Sequence, residues 1–222
     1  MPTLLQRKIE ELKKEILFLG ATVEERVKMA IRAVDSWDTD LAGKIIESDY
    51  DINEKEVEIE EVCLEIIARY QPVAVDLRFL SAVIKINNDL ERIGDEAVNI
   101  AERVLIVAKD DKAKFTFDYS AMAEKAEFML RRSLDALVNQ DLDLAVHVCV
   151  MDEEVDQLKN DVYDVVKRFI QDDSQRTGYL INLLLISRHL ERIADHATNI
   201  AEEVIYLIEG NIARHGKFGA AK

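Results

Sequence analysis

Glu91 and Asp95 stand four residues apart, and Glu191 and Asp195 repeat the arrangement 100 residues later. On an α-helix that spacing turns both carboxylates to one face, with their Cβ atoms about 6 Å apart. Such a pair can clasp one cation or bridge two. All-oxygen donors suit hard cations such as Mg, Mn, Ca or ferric iron, whereas Zn usually takes His or Cys as well. Each pair belongs to a longer stretch. Residues 88–102 and 188–202 are identical at ten of fifteen positions, including Glu91, Asp95, Asn99 and Glu102 and their copies Glu191, Asp195, Asn199 and Glu202. Helical geometry places Asn88, Glu91, Asp95, Asn99 and Glu102 within roughly 60° of arc. Packing alone does not need acids and amides there. Like charges at this spacing repel by a few tenths of a kcal/mol when solvated, so two copies of the face point to a positive partner. The plainer alternative is a pair of solvated faces neutralised by Arg92 and Arg192.

A second acidic stripe, Asp49, Asn53, Glu56 and Glu60, has its counterpart beginning at Asp152 and Asp156. These residues either complete the Glu–Asp faces from a neighbouring helix or decorate the solvent surface. His189 and His196 flank the second copy only, at the places of Asp89 and Glu96. They are expected to be surface histidines.

The elements that must position these groups are long helices. Seven Gly, two Pro and 6% aromatics in 222 residues leave little material for turns and strands, while 49% hydrophobic residues allow a substantial core. Apolar residues recur every three to four positions. The periodicity predicts helices over about 5–36, 41–70, 76–108, 118–138, 141–170 and 175–209. The breaks fall at Asp38-Thr39-Asp40, Gln71-Pro72, Asn139-Gln140-Asp141, Asp172-Asp173-Ser174 and Gly210. Lys109 to Lys114 reads as a linker, and residues from about 211 as a frayed tail. Asp40-Leu41-Ala42 recurs as Asp143-Leu144-Ala145 at an offset of 103, against 100 in the motif, so the copies differ by a small insertion. The expected fold is all-α: two tandem antiparallel three-helix bundles, residues 1–110 and 111–222, related by a pseudo-two-fold.

Several functions are disfavoured. A formal charge of −15 opposes wrapping nucleic acid or docking on an anionic membrane, both of which need Lys and Arg. No apolar run reaches 18 residues and no signal-peptide core is visible, which reads as a cytoplasmic chain without membrane insertion. Cys63 and Cys149 form no CxxC and read as buried free thiols of a reducing compartment. No His has Glu three residues before it, as a ferritin-like di-iron site requires, and no phosphate-cradling glycine loop or serine elbow occurs. No catalytic constellation emerges, so a non-enzymatic role is expected.

The duplicated Leu-Glu-Arg-Ile-(Gly/Ala)-Asp-x-Ala-x-Asn-Ile-Ala-Glu resembles the signature of the PhoU family, and the likeness in length, halves and motif position extends over nearly the whole chain. The resemblance implies two three-helix bundles. It also implies a negative regulator of phosphate uptake and of the phosphate-starvation response. The partners implied are the ATPase subunit of the phosphate-specific (Pst) transporter and the phosphate-sensing histidine kinase. It implies metal binding at Glu91, Asp95, Glu191 and Asp195, with iron favoured and Mn, Mg or Zn as alternatives. Asn99 and Asn199 match further motif positions, and Asp49 and Asp152 are additional candidates. Arg188 in place of Asn88 would lower metal affinity or change nuclearity at the second site. A homodimer is expected for so small and elongated a chain. A storage protein or metal-dependent hydrolase that uses the metal directly is the other class open to these residues.

Overall fold

The computed structural model describes residues 3–109 and 117–211. Most of the expected linker and tail therefore lies outside the described residues. The helices are α1 (Leu4–Ser36), α2 (Thr39–Glu47), α3 (Asp49–Tyr70), α4 (Ala74–Val107), α5 (Ser120–Asn139), α6 (Leu142–Asp172) and α7 (Thr177–Glu209). A single 3₁₀ turn, Ser174–Arg176, precedes α7.

Local chemistry sets their ends. Thr3 and Gln6 form a reciprocal capping box at the start of α1. Asp38 and Asp141 occupy matching positions in the two halves and accept from the amides of Leu41 at 2.9 Å and Leu144 at 3.0 Å. Trp37 and Gln140, again matching, close the preceding helices in the left-handed conformation. Gly210 does the same after α7 with φ +76°, a backbone geometry that glycine adopts without steric cost.

The six expected rods are present, but the second is broken. Ser48 interrupts it between α2 and α3, with its hydroxyl donating to the carbonyl of Ile45 at 3.1 Å. The carbonyl of Ser48 accepts from the buried guanidinium of Arg26 on α1. At the 103-residue offset the corresponding residues are Met151 and Met129, and α6 runs through uninterrupted. The change of offset is also explained. The three residues Gln71-Pro72-Val73 separate α3 from α4, whereas Asp173 leads directly into the turn at Ser174. Three fewer residues take an offset of 103 to 100.

The central pair is α4 against α7, antiparallel. Asp89 meets His196 and Glu96 meets His189. Shifting each residue by 100 turns the first contact into the second, so a pseudo-two-fold passes between the two helices. Around it α1, α2 and α3 pack on α4, α5 and α6 pack on α7, and α1 meets α5. The buried apolar residues form one core continuous across the halves, from Leu12 and Leu19 on α1 through Ile93 and Ile193 to Val204. A small satellite, Val107, Val166, Leu180 and Leu183, closes one end. There the buried Tyr119 hydroxyl donates to the carbonyl of Leu183 at 2.6 Å.

The motif helices lie tightly against their neighbours. A Cβ added at Gly94 would stand 3.1 Å from Cδ1 of Ile52 on α3. The second half has Ala194 at that place and Val155 in register with Ile52, which moves one carbon across the interface and keeps its total. The two sites should therefore couple. Ile52→Val is expected to cost about 1 kcal/mol in the wild-type chain and clearly less in the Gly94→Ala background. A urea-unfolding double-mutant cycle measures this, and additive costs would contradict it.

Candidate metal-binding faces and the seam between the halves

The first Glu–Asp face is built by two helices. Asp49, Asn53 and Glu56 come from α3, Glu91 and Asp95 from α4, and the helices run antiparallel, so Asp49 and Asp95 influence each other directly. Glu91 is only 21% exposed. Burial raises its pKa, and the Asp95 carboxylate raises it further. Asp95 is raised by burial and then by Asp49, and Glu56 by burial and then by Glu60. Cations reach this face only in part. Arg92 bridges loosely to Glu91 and Asp95, both at 3.4 Å, and Arg26 Nη1 stops 3.6 Å from Asp49 Oδ1. Three buried oxygens, Asp49 Oδ1, Asn53 Oδ1 and Glu91 Oε2, have no hydrogen-bond donor, an arrangement that costs free energy unless something supplies positive charge.

The second face is assembled in the same way. Asp152 on α6 accepts from the Thr198 hydroxyl at 3.2 Å. Its pKa is raised by burial against that hydrogen bond, with Asp156 and Glu191 adding to the rise. Asp195 is pushed up to about 6 by burial and by Glu191 and Asp152. Here, however, a cation is already present. Lys159 Nζ donates to Glu191 at 2.9 Å and to Asp156 at 3.1 Å.

Asp49 and Asp152, candidates from the second acidic stripe, thus stand beside the motif acids. Asn99 and Asn199 are turned elsewhere. Asn99 donates to Glu96 at 3.4 Å and Asn199 to Asp89 at 3.1 Å, which places both amides in the seam between α4 and α7. Among the described residues, no group of three or more His, Cys, Asp or Glu side chains is gathered closely enough to hold a metal ion. The first face nevertheless offers hard-cation donors with unused buried oxygens, so its chemistry fits, and binding requires these side chains to draw together. The second face does not fit equally, because the Lys159 ammonium already holds its Glu191, together with Asp156.

The expectation of surface histidines is corrected. His189 and His196 are half-buried and carry the seam: His189 Nδ1 donates to Glu96 at 2.6 Å and His196 Nδ1 to Asp89 at 2.9 Å. Arg192 adds a contact to Glu96 at 3.0 Å, and Lys85 donates to both oxygens of the buried Glu203 at 3.0 Å. Burial opposes ionisation of Glu96, but the hydrogen bond and charge of His189, with Arg192 and Asn99, outweigh it and hold the carboxyl below its ordinary 4.5. Pairing the acid-bearing positions 89 and 96 with the histidine-bearing 189 and 196 was the available sequence signal; antiparallel helices with a 100-residue repeat bring them together.

Clefts flank the seam on either side. One of about 500 Å³ is lined by Glu56, Asp89, Asn199 and Glu202 as well as the Lys85–Glu203 pair. Another of about 470 Å³ lies over the second face and is lined by Lys159, Arg188, Arg192, Glu191 and Asp195. At matching positions Glu56 becomes Lys159, Asn88 becomes Arg188 and Asp89 becomes His189. Both cysteines are free, and burial pushes each thiol up to about 12, which makes them inert. Among the described residues no helix is long and apolar enough to cross a membrane.

Neutralising one acid of each kind should have opposite effects in metal-free protein. Glu96 has a lowered pKa, so its stabilisation is present above pH 4.5 and is lost as pH falls through the lower folded value. Glu96→Gln is expected to destabilise by about 2 kcal/mol at neutral pH and to flatten that acid-side loss. Asp195 has a raised pKa, so its carboxylate is a cost above pH 6 that vanishes as pH falls towards its ordinary 3.8. Asp195→Asn should stabilise by about 1 kcal/mol at pH 7.5, the side chain's solvent exposure reducing the gain, and by nothing at pH 4. Urea midpoints at several pH values measure both.

Comparison with known proteins accords with this architecture. The family model described as the PhoU domain matches twice, over residues 16–104 and 119–204, one match in each half. The Pseudomonas aeruginosa phosphate-specific transport system accessory protein PhoU homolog is 35% identical over 208 residues, which cover 93% of this chain and 86% of that protein. The Escherichia coli (strain K12) accessory protein PhoU is 32% identical, with the same coverage of each. The crystal structure of PhoU from Pseudomonas aeruginosa superposes with a TM-score of 0.89 at 34% identity, covering 92% of this chain and 99% of that one. The phosphate transport system regulatory protein PhoU from Streptococcus pneumoniae gives a TM-score of 0.84 at 30% identity, covering 94% and 98%. With a duplicated domain match and near full-length likeness in sequence and fold, the chain belongs to the PhoU family.

Proposed function

We propose that this chain is a cytoplasmic negative regulator of phosphate uptake and of the phosphate-starvation response. It acts as a non-enzymatic adaptor between the ATPase subunit of the phosphate-specific transporter and the phosphate-sensing histidine kinase. The observation that carries this reading is the pair of PhoU domain matches spanning both halves, together with relatives named as accessory and regulatory proteins of phosphate transport. The site chemistry is compatible with it. The conspicuous groups are carboxylates on long rigid helices rather than an activated nucleophile beside a base. A strongly acidic surface suits docking on basic patches of protein partners. Self-association as a homodimer is part of the same proposal.

The Glu–Asp faces are proposed as its metal-binding elements. Glu91 and Asp95 with Asp49, and Glu191 and Asp195 with Asp152, would hold a hard cation, iron being favoured and Mn, Mg or Zn the alternatives. Asn99 and Asn199 would contribute only after leaving the seam. A bound cation would cancel the mutual repulsion of these acids and stiffen the contact between each motif helix and its neighbour.

Deletion of the gene is expected to leave a starvation-responsive reporter switched on in high phosphate. Tagged chain purified from cells should retain the transporter ATPase and the kinase, with retention changing between high and low phosphate, and light scattering should give the mass of two chains. A reporter that stays repressed without the gene would overturn the regulatory reading. Loss of a measurable hydrolytic turnover, with partner retention intact, in the Glu91→Ala/Asp95→Ala variant would replace the adaptor with an enzyme.

A further inference from the structure

The pseudo-two-fold makes each residue of the first face a control for its counterpart in the second. Asp49, Glu56, Glu91 and Asp95 correspond to Asp152, Lys159, Glu191 and Asp195. Asn53 corresponds to Asp156, so each half brings four acids and only the second adds a lysine. The correspondence is spatial as well as sequential. Glu56 meets the motif helix one turn before Glu91, accepting from Asn87 Nδ2 at its carbonyl (2.8 Å) and at Oε1 (3.3 Å), and Lys159, from the equivalent place on α6, reaches Glu191 at 2.9 Å. We infer that only the first face takes up a metal ion, and that Lys159 is the built-in cation of the second. This narrows the metal-binding reading proposed above from two faces to one and rests on its first half.

The hydrogen bonding of the two halves supports the division. Lys159 spans Glu191 and Asp156, so it ties the motif helix α7 to α6, the same pair of elements a cation would bridge. It is 27% exposed, and Glu191 is 17% exposed. An ion entering here must first displace a charge-assisted bond from a sheltered site. In the first half Glu91 Oε2 and Asp49 Oδ1 are buried without a donor. The cations near them are poorly placed to supply one. Arg92 is 54% exposed and reaches Glu91 and Asp95 only at 3.4 Å, and Arg26 is engaged with the Ser48 carbonyl. The matching arginine of the second half, Arg192, turns away to Glu96 across the seam, which leaves Lys159 as the cation bonded to Glu191. Arg188, lining the same cleft where the first half has Asn88, adds positive charge that repels an incoming metal.

The test is titration of the metal-stripped full chain with Mn²⁺ alone, read by electron paramagnetic resonance of free ion and by calorimetry, with circular dichroism to confirm folding. Wild type is expected to show one class of site, abolished by Glu91→Ala/Asp95→Ala and untouched by Glu191→Ala/Asp195→Ala. Lys159→Glu, which recreates the residue of the first half, should add a second class. Lys159→Met should tighten Mn²⁺ at the second face by about tenfold or more, the free energy of one charge-assisted hydrogen bond. Two wild-type classes, each lost with its own pair of acids, would overturn the inference and leave the metal reading standing. No binding by wild type or by either Lys159 variant would overturn the metal reading itself.

Discussion

Glu96 lies buried where α4 crosses α7, and a carboxylate can be kept there only if donors surround it. His189, Arg192 and Asn99 supply them. The same geometry, turned through the pseudo-two-fold, gives Asp89 its partners His196 and Asn199. These paired contacts set the register of α4 on α7. Register in turn fixes which faces of the two motif helices are left to meet α3 and α6. A slip of one residue would rotate Glu91 and Asp95 by about 100° about the helix axis, away from Asp49. The seam is therefore what allows the two acidic faces to exist as faces at all.

The seam also assigns sides. Both acids of the central contacts come from the first half and both histidines from the second. Two first halves brought together would oppose Asp89 to Glu96, acid to acid. Two second halves would oppose His189 to His196. Each half is complementary to the other and not to itself, so the tandem arrangement within one chain is selected over exchange of like halves between chains. The continuous core argues in the same direction, because Leu130 and Leu134 of α5 are buried in one cluster with Leu19 and Val23 of α1.

Much of this is legible in the sequence. The 3.6-residue stripes located the rods, and the cap residues Asp38, Asp141 and Gly210 marked breaks that the backbone respects. Ser48 was invisible, since apolar periodicity continues through it and only the distant Arg26 makes the break favourable. The repeat identified Glu91, Asp95 and their copies. It did not show that Asn99 and Asn199 serve the seam, because a helical wheel gives a side chain's direction and not the neighbour waiting there. The seam role of His189 and His196 is hidden for the same reason. Histidines on an acidic helix look solvated until the antiparallel partner brings carboxylates to them.

Duplication began with two copies under the same physical demand, a cluster of like charges held against a neighbouring helix. The differences between the halves show two ways of meeting it. The first half keeps Glu56 and leaves Asp49 Oδ1, Asn53 Oδ1 and Glu91 Oε2 without a donor. The second half converts that position to Lys159, which meets the demand from within at Glu191 and Asp156 and leaves Asp195 under it. A charge carried on the chain ties α6 to α7 without any external ion. Core positions follow the same rule of compensated divergence, with Gly94 and Ile52 exchanged for Ala194 and Val155 at unchanged volume. The two halves therefore differ in how charge is balanced beside the motif helix, and they are joined through a seam that lets only these two halves meet.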